Sequence, residues 1–207
     1  IRKNKTLTIP NGADTKLFKP LSKSYARKTL KLPADAKIIS YIGSIQKLHG
    51  VDILIKTFEE LRKEIKDANL LIVGKVINSQ KENFDFSKEG IIYLGSVLQK
   101  KVILAINASD VLVVPYPKNS FTKYMLAPYK LVEFLACNRP IVITNVGEMQ
   151  KNIKDKRMVA RAGSTEDLKK KIKYALSLDN INSRPIALKF DWKNIASRLN
   201  EAIENFE

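Results

Sequence analysis

Short β-branched or aliphatic runs, several of them closed by glycine or proline, alternate along this chain with stretches whose apolar residues recur at helical spacing. Lys37–Gly43 (KIISYIG), Asn69–Gly74 (NLLIVG), Ile91–Leu94, Val111–Pro115 and Pro140–Thr144 read as buried strands, with a shorter one at Met158–Ala160. Val51, Leu54, Ile55, Phe58, Leu61 and Ile65 mark an amphipathic helix. Further helices are expected at Lys101–Asn107, Tyr129–Cys137, Glu166–Leu178 and Trp192–Phe206, and a short one near Gly147–Ile153. Ser164 and Asp191 stand where N-caps belong. Strands that are apolar throughout, rather than at alternate positions, need cover on both faces, and the intervening helices supply it. The expected fold is α/β: a Rossmann-like, doubly wound parallel sheet with right-handed crossovers. Residues 1–190 would form that domain and residues 191–207 a terminal helix.

Composition removes several alternatives. A chain of 207 residues that is 44% hydrophobic can bury a substantial core. The longest apolar stretch, Val102 to Pro115, is broken by Asn107, Ser109 and Asp110 and falls short of the ~18 residues a membrane span needs. Cys137 is the only cysteine and His49 the only histidine, so neither a disulfide framework nor a Cys/His metal site is expected. The sequence begins at Ile1 rather than Met, with no signal-peptide pattern after it, which reads as a piece of a longer protein.

The charge is strongly positive, +16, and uneven: residues 1–37 hold ten Lys and Arg against Asp14 and Asp35. Lys23, Arg27, Lys28 and Lys31 would fall largely on one side of a helix. Such a surplus suits an anionic membrane, nucleic acid or a phosphorylated ligand, and equally a surface built from solvated lysine.

In open α/β sheets ligands bind outside the carboxyl ends of the strands. Attention therefore falls on the loops after Gly43, Gly74, Leu94, Pro115 and Thr144, none of which carries GxGxxG or GxxxxGK[ST]. The connection from Tyr116 to Pro128 reads as the longest structureless loop, with Lys118, Asn119, Ser120, Thr122 and Lys123 among its aromatics.

Several segments then line up in order. They are Thr8–Asp14 (TIPNGAD) with Phe18 and Pro20, Tyr41–Ile45 followed by His49–Asp52, Leu71–Gly74, Tyr93–Val97, Ala108–Pro115, Ala127–Ala136 with Arg139–Val142, and Phe190–Trp192. Together they resemble the C-terminal domain of the group 1 glycosyltransferases, which have the two-lobed GT-B architecture. Each segment alone is weak, but their order is specific, and the resemblance covers nearly the whole chain. It implies that this lobe holds a nucleotide-sugar donor, UDP- or GDP-linked, with no further cofactor and no metal. The N-terminal lobe, with the acceptor site, would be the missing partner, and this chain alone would not turn over. The implied reaction is a retaining transfer of a hexose to a hydroxyl of a lipid-linked or polysaccharide acceptor of the cell envelope. The leaving diphosphate is stabilised and no protein nucleophile is required. The implied place is the cytoplasm, peripheral on the inner face of the membrane, where each Lys near an anionic leaflet contributes about 1 kcal/mol.

The resemblance also singles out residues. Glu133 matches the family's glutamate that accepts hydrogen bonds from two adjacent ribose hydroxyls. Lys130, three residues earlier and on nearly the same helix face, either pairs with Glu133 or meets a donor phosphate. Helix starts at His49-Gly50-Val51 and Gly147-Glu148-Met149 offer oriented N–H groups to the diphosphate. The family usually has Arg just after the first glycine and Lys just before the second. Here Ser44 and His49 stand there, with Lys47 nearby as a substitute. Many members pair two glutamates eight residues apart, but eight before Glu133 is Met125, which leaves sugar contacts to the backbone around Leu126 and Ala127. Gly95 to Val97 offers a backbone edge for the base. The rival reading is a non-catalytic basic Rossmann-like module that contacts nucleic-acid phosphates.

Overall fold

A computed structural model describes residues 9–77, 84–123, 129–178 and 181–204. Strands β1 (Lys37–Ile42), β2 (Ala68–Val73), β3 (Ile91–Gly95), β4 (Val111–Val114), β5 (Ile141–Thr144) and β6 (Val159–Ala160) form one sheet. The order is β3-β2-β1-β4-β5-β6 and every pairing is parallel. This is the doubly wound Rossmann order expected from the alternation. The helices are α1 (Lys23–Leu30), α2 (Val51–Glu64), α3 (Gln99–Ala108), α4 (Ser120–Lys123), α5 (Tyr129–Ala136), α6 (Thr165–Leu176), α7 (Arg184–Leu188) and α8 (Trp192–Glu204).

β1, β2, β4 and β5 are buried on both sides, and successive residues serve opposite faces, whereas the edge strand β3, expected to be buried, is only half-buried with Tyr93 exposed because no strand covers its outer side. Ile38, Ile42, Leu71, Val73, Leu112 and Val114 pack with Ile103 and Ile106 of α3 and with Leu131 and Phe134 of α5. Ile39, Tyr41, Leu70, Ile72, Val111 and Val113 pack with Leu54, Phe58 and Leu61 of α2 and with Leu168 and Ile172 of α6. Each such aliphatic side chain contributes about 1.5–3 kcal/mol when fully buried. Ser164 caps α6 by accepting from the Asp167 N–H. Asp191 accepts from Lys193 N at 3.0 Å and, through its other oxygen, from Thr15 Oγ1 at 2.5 Å.

At the amino ends of the strands a buried polar network fastens the first described residues to the sheet. Asn107 Oδ1 accepts from Leu21 N at 2.8 Å, and Ser109 donates to Ala105 O at 2.7 Å. Arg184 donates to Thr15 O and Phe18 O, tying the segment before α1 to α7. Asp110 receives Lys23 Nζ at 2.6 Å, Arg27 Nη2 at 2.6 Å and the Ile38 N–H at 2.7 Å. Arg27 also donates to Ala108 O and Ala34 O.

Four expectations change. The basic side of α1 is not a free surface stripe: Arg27 is only 5% exposed and Lys23 is paired with Asp110. Only Lys28 and Lys31 of that group stay exposed without such ties. The Tyr116–Pro128 loop is not structureless, because Ser120–Lys123 forms a helical turn. Asn119 and Thr122 close that turn on each other's backbone N–H groups, at 2.9 and 3.0 Å. The short helix after Gly147 is a four-residue 3₁₀ turn, Met149–Asn152. Finally, α7 was not foreseen, being too short for a period to show and carrying a proline in its first turn. No described helix is long and apolar enough to cross a membrane.

Burial pushes the Asp110 carboxyl up, but the Lys23 hydrogen bond, the Ile38 N–H and the Arg27 charge outweigh it and hold it below its usual range. Asp110→Ala should destabilise the chain by about 3–5 kcal/mol in urea titration, because it strands a buried guanidinium. A depressed folded-state pKa adds stability above the unfolded carboxylate range near pH ~4 and loses it as pH falls through the lower folded value. The variant should therefore show a shallower fall of stability in acid; an unchanged acid slope would contradict this.

Candidate functional site

The strand order reverses at β1, which lies between β2 and β4, and there the carboxyl ends open into a crevice. A cleft of about 320 Å³ occupies it, lined by Phe18, Ile42, Gly43, Val73, Gly74, Ser96, Val97, Gln99, Val102, Tyr129, Lys130 and Glu133. Another cleft of about 330 Å³ lies by Ile141 and Met158, at the amino ends of β5 and β6, the wrong edge for a ligand of this fold.

Two glycines let the loops after β1 and β2 meet backbone to backbone. Gly43 has φ +144° and Gly74 φ +145°, where L side chains are strained. A Cβ on Gly74 would fall 1.9 Å from Gly43 O, and one on Gly43 would fall 2.4 Å from Lys130 Nζ. Gly50, at φ +73°, presses α2 against the end of β4, where a Cβ would fall 1.9 Å from Pro115 O. No side chain caps α2 at that point.

α5 turns Lys130 and Glu133 toward the cleft. Burial pushes the Glu133 carboxyl up to about 7, with the Lys130 charge opposing. Burial likewise draws the Lys130 ammonium down to about 8, with Glu133 opposing. Despite their spacing, no ion pair joins them among the described residues, and neither side chain makes a hydrogen bond there. Lys130 Nζ lies instead 5.1 Å from the Tyr41 ring centroid and 5.4 Å from that of Tyr116.

The other sequence-singled residues divide. Val97 lines the cleft, and Gly95, at φ +66°, ends β3 beside it and accepts from Gly74 N at 2.8 Å. Ser44, Lys47 and His49 do not line it. The Ser44 carbonyl accepts from Tyr41 Oη at 2.7 Å and from His49 Nδ1 at 2.8 Å, and His49 Nε2 lies 3.0 Å from Gln46 Nε2. The imidazole meets Tyr116 edge-on at 5.1 Å. Burial lowers the His49 pKa, the Ser44 carbonyl opposes, and the Lys130 charge lowers it further. Lys47 is exposed.

Gly147, Glu148 and Met149 follow β5 away from the cleft lining. Glu148 pairs with Lys151, and Met149 is wholly buried in the core. Their 3₁₀ turn is too short to build a macrodipole. Leu126, Ala127 and Met125 lie outside the described residues.

Sequence reasoning missed the cleft walls Phe18, Gln99 and Tyr129, and missed Tyr41 and Tyr116 around Lys130, whereas Ser96 falls within the Gly95 to Val97 edge it singled out. The one signal for the tyrosines was a phenol at or just beyond the end of an otherwise aliphatic strand, in KIISYI and VLVVPY.

Comparison with known proteins adds a family. A sequence profile for glycosyl transferases group 1 matches residues 36–177. The D-inositol 3-phosphate glycosyltransferase of Segniliparus rotundus is 29% identical over 160 residues, which is 71% of this chain and 33% of that protein. A glycosyltransferase from Rickettsia africae superposes with a TM-score of 0.81 at 19% identity, covering 100% of this chain and 59% of that one. Anabaena HepE, solved in complex with UDP and glucose, superposes with a TM-score of 0.79 at 18% identity, covering 98% of this chain and 58% of that one. The chain spans about a third to a half of the length of the curated relatives it matches, 33% of one and 48% of another.

The glycine contacts make a graded prediction. Gly43→Ala and Gly74→Ala each force a side chain into a positive-φ position, costing about 1–3 kcal/mol. At Gly43 the obstacle is the movable end of Lys130, whereas at Gly74 it is backbone. Thermal melts should therefore rank Gly74→Ala as the more destabilising, and the reverse order would contradict the close backbone approach.

Proposed function

The chain belongs to the group 1 glycosyltransferases, and from that premise we propose that its carboxyl-edge cleft receives a nucleotide-sugar donor. On this reading the chain is the donor-binding domain of an enzyme that moves a hexose, with retention, to a hydroxyl of a lipid-linked or polysaccharide acceptor. Residues 1–190 form that domain, α8 is its terminal helix, and a second lobe brings the acceptor.

The observation that carries the reading is Glu133. Its carboxyl lines the cleft, burial has raised its pKa to about 7, and no described residue hydrogen-bonds it. A half-buried carboxylate without a donor is costly, and a vicinal diol such as that of ribose supplies two O–H donors to it. Charge-assisted O–H···O bonds of that kind are short and strong. The base then lies toward Gly95 and Val97, at the end of β3. UDP and glucose are the ligands of the Anabaena structure, and carrying that ligand class to this chain is part of the proposal. The nucleic-acid reading gains no comparable support, since Lys23 and Arg27 of the basic N-terminal segment are engaged with Asp110.

Glu133→Gln should weaken binding of the matching nucleotide and its sugar conjugate tenfold or more, since hydrogen bonds to a charged acceptor contribute about 1.5–3 kcal/mol. Calorimetric titration with UDP, GDP and their sugars tests this, with a thermal melt to confirm that the variant folds. Affinity equal to wild type would remove Glu133 from the site.

The 207-residue chain should transfer no sugar even with its donor bound. Transfer needs the acceptor hydroxyl held against the anomeric carbon, and positioning of that kind supplies much of the rate. Robust transfer from a radiolabelled donor by this chain alone would refute the two-lobe reading.

A further inference from the structure

We propose that Lys130 supplies the cation for the donor's diphosphate, in place of the loop after β1, and that Tyr41, Tyr116 and His49 position it. The inference rests on the donor reading above and extends it to the charge that holds the leaving group.

Lys130 is a lysine left only 9% exposed in the wall of a cleft. Burying an ammonium is unfavourable unless its three N–H donors find acceptors. Among the described residues none is paired with it: Glu133, on the same helix, makes no ion pair, and the flanking rings of Tyr41 and Tyr116 offer faces rather than lone pairs. Among the described residues the fully enclosed side-chain polar atoms without partners are Asp52 Oδ1 and Arg139 Nε, so Lys130 Nζ, itself without one, still opens onto the cleft. Burial lowers its pKa to about 8, which leaves it charged at pH 7 but poorly compensated. A buried cation that is unpaired and reaches a cavity is arranged for an anion that arrives from outside.

Its place agrees with that role. Nζ lies over the backbone of Gly43, where an added Cβ would be 2.4 Å away, at the point where the strand order reverses. A phosphate held there would lie among Gly43, Gly74 and Lys130, between Glu133 and the Val97 backbone. The loop after β1 has no cation to offer in the cleft. Ser44 is uncharged, its carbonyl is occupied by Tyr41 Oη and His49 Nδ1, and Lys47 is outside the lining.

His49 acts through other groups. By donating to Ser44 O and meeting Tyr116 edge-on, it joins the two aromatic residues that flank the ammonium. Tyr41 shares the same carbonyl. The three residues form one brace, and none of them lines the cleft.

The test separates the phosphate from the rest of the ligand. The 207-residue chain is titrated at pH 7 with uridine, UDP and inorganic pyrophosphate. Wild type should bind UDP at least tenfold more tightly than uridine. Lys130→Met, similar in length but uncharged, should erase that advantage and abolish pyrophosphate binding, with uridine affinity kept within about twofold. Gly43→Ala, which displaces Nζ and leaves the charge, should lose the same advantage. His49→Ala should weaken UDP but not uridine, and His49→Gln, able to donate to Ser44 O, should restore it. A Lys130→Met chain that keeps the UDP advantage overturns the proposal, as does a parallel loss of uridine, which would make Lys130 a packing residue. If wild type binds pyrophosphate through Lys130 but no nucleotide, the anion site stands and the donor reading falls.

Discussion

A parallel sheet covered on both faces leaves charged groups only the two strand ends, and this constraint arranges the rest of the molecule. Ile38, Ile39, Leu70, Leu71, Val111 and Leu112 are wholly enclosed, so no chemistry can sit on either face. The two ends handle the concession differently. At the amino end, Arg27 and Asp110 satisfy each other and the surrounding backbone, with Arg27 making three hydrogen bonds and Asp110 receiving three donors. At the carboxyl end, Lys130 and Glu133 are held in the wall of a cleft with neither bonded to a described residue. A satisfied buried network stabilises a fold and fixes its geometry, whereas an unsatisfied one is tolerated where a ligand completes it.

The carboxyl end keeps its open groups because its loops are short and locked. Gly43 and Gly74 bring the ends of β1 and β2 into backbone contact, and Gly50 does the same for α2 against β4. Gly43 and Gly74 line the crevice without a side chain of their own, while Gly50 packs outside it. The cost is backbone strain tolerated by glycine alone, and the return is a cavity whose walls cannot collapse onto Lys130.

The fold was legible because its strongest signals are periods. KIISYIG, NLLIVG and VLVVP are apolar without alternation, and the helix from Val51 shows its 3.6-residue spacing over four turns. The strand ends, the order of helices and the Ser164 cap followed from local chemistry. What failed was whatever lacked a period. α7 spans five residues and α4 four, too little for spacing to distinguish helix from loop. Arg27 was misplaced for a related reason. Its spacing from Lys23 and Lys28 puts it on a basic helical side, but a period cannot reveal that Asp110, 83 residues later, draws it into the protein. Within the site, Glu133 and Lys130 were legible as residues of one helical face. The aromatic brace was not, because Tyr41, His49 and Tyr116 come from three loops and strand ends that only the topology brings together.

The departures from the family's pattern then read as a single exchange of charge rather than as separate losses. Where Arg and Lys are usual after β1, this chain has Ser44 and His49, and burial followed by the charge of Lys130 lowers the His49 pKa. A permanent cation at His49, whose ring and the Lys130 ammonium both meet Tyr116, would add like-charge repulsion to the buried ammonium. On the proposal made above, the absence of a permanent charge at Ser44 and His49 spares the Lys130 ammonium that repulsion, while Lys47 of the same loop is exposed to solvent. The imidazole suits the position because it can donate to the Ser44 carbonyl without adding charge. Matching residues by position alone would assign the phosphate to Ser44 and His49, whereas following the charge leads to Lys130.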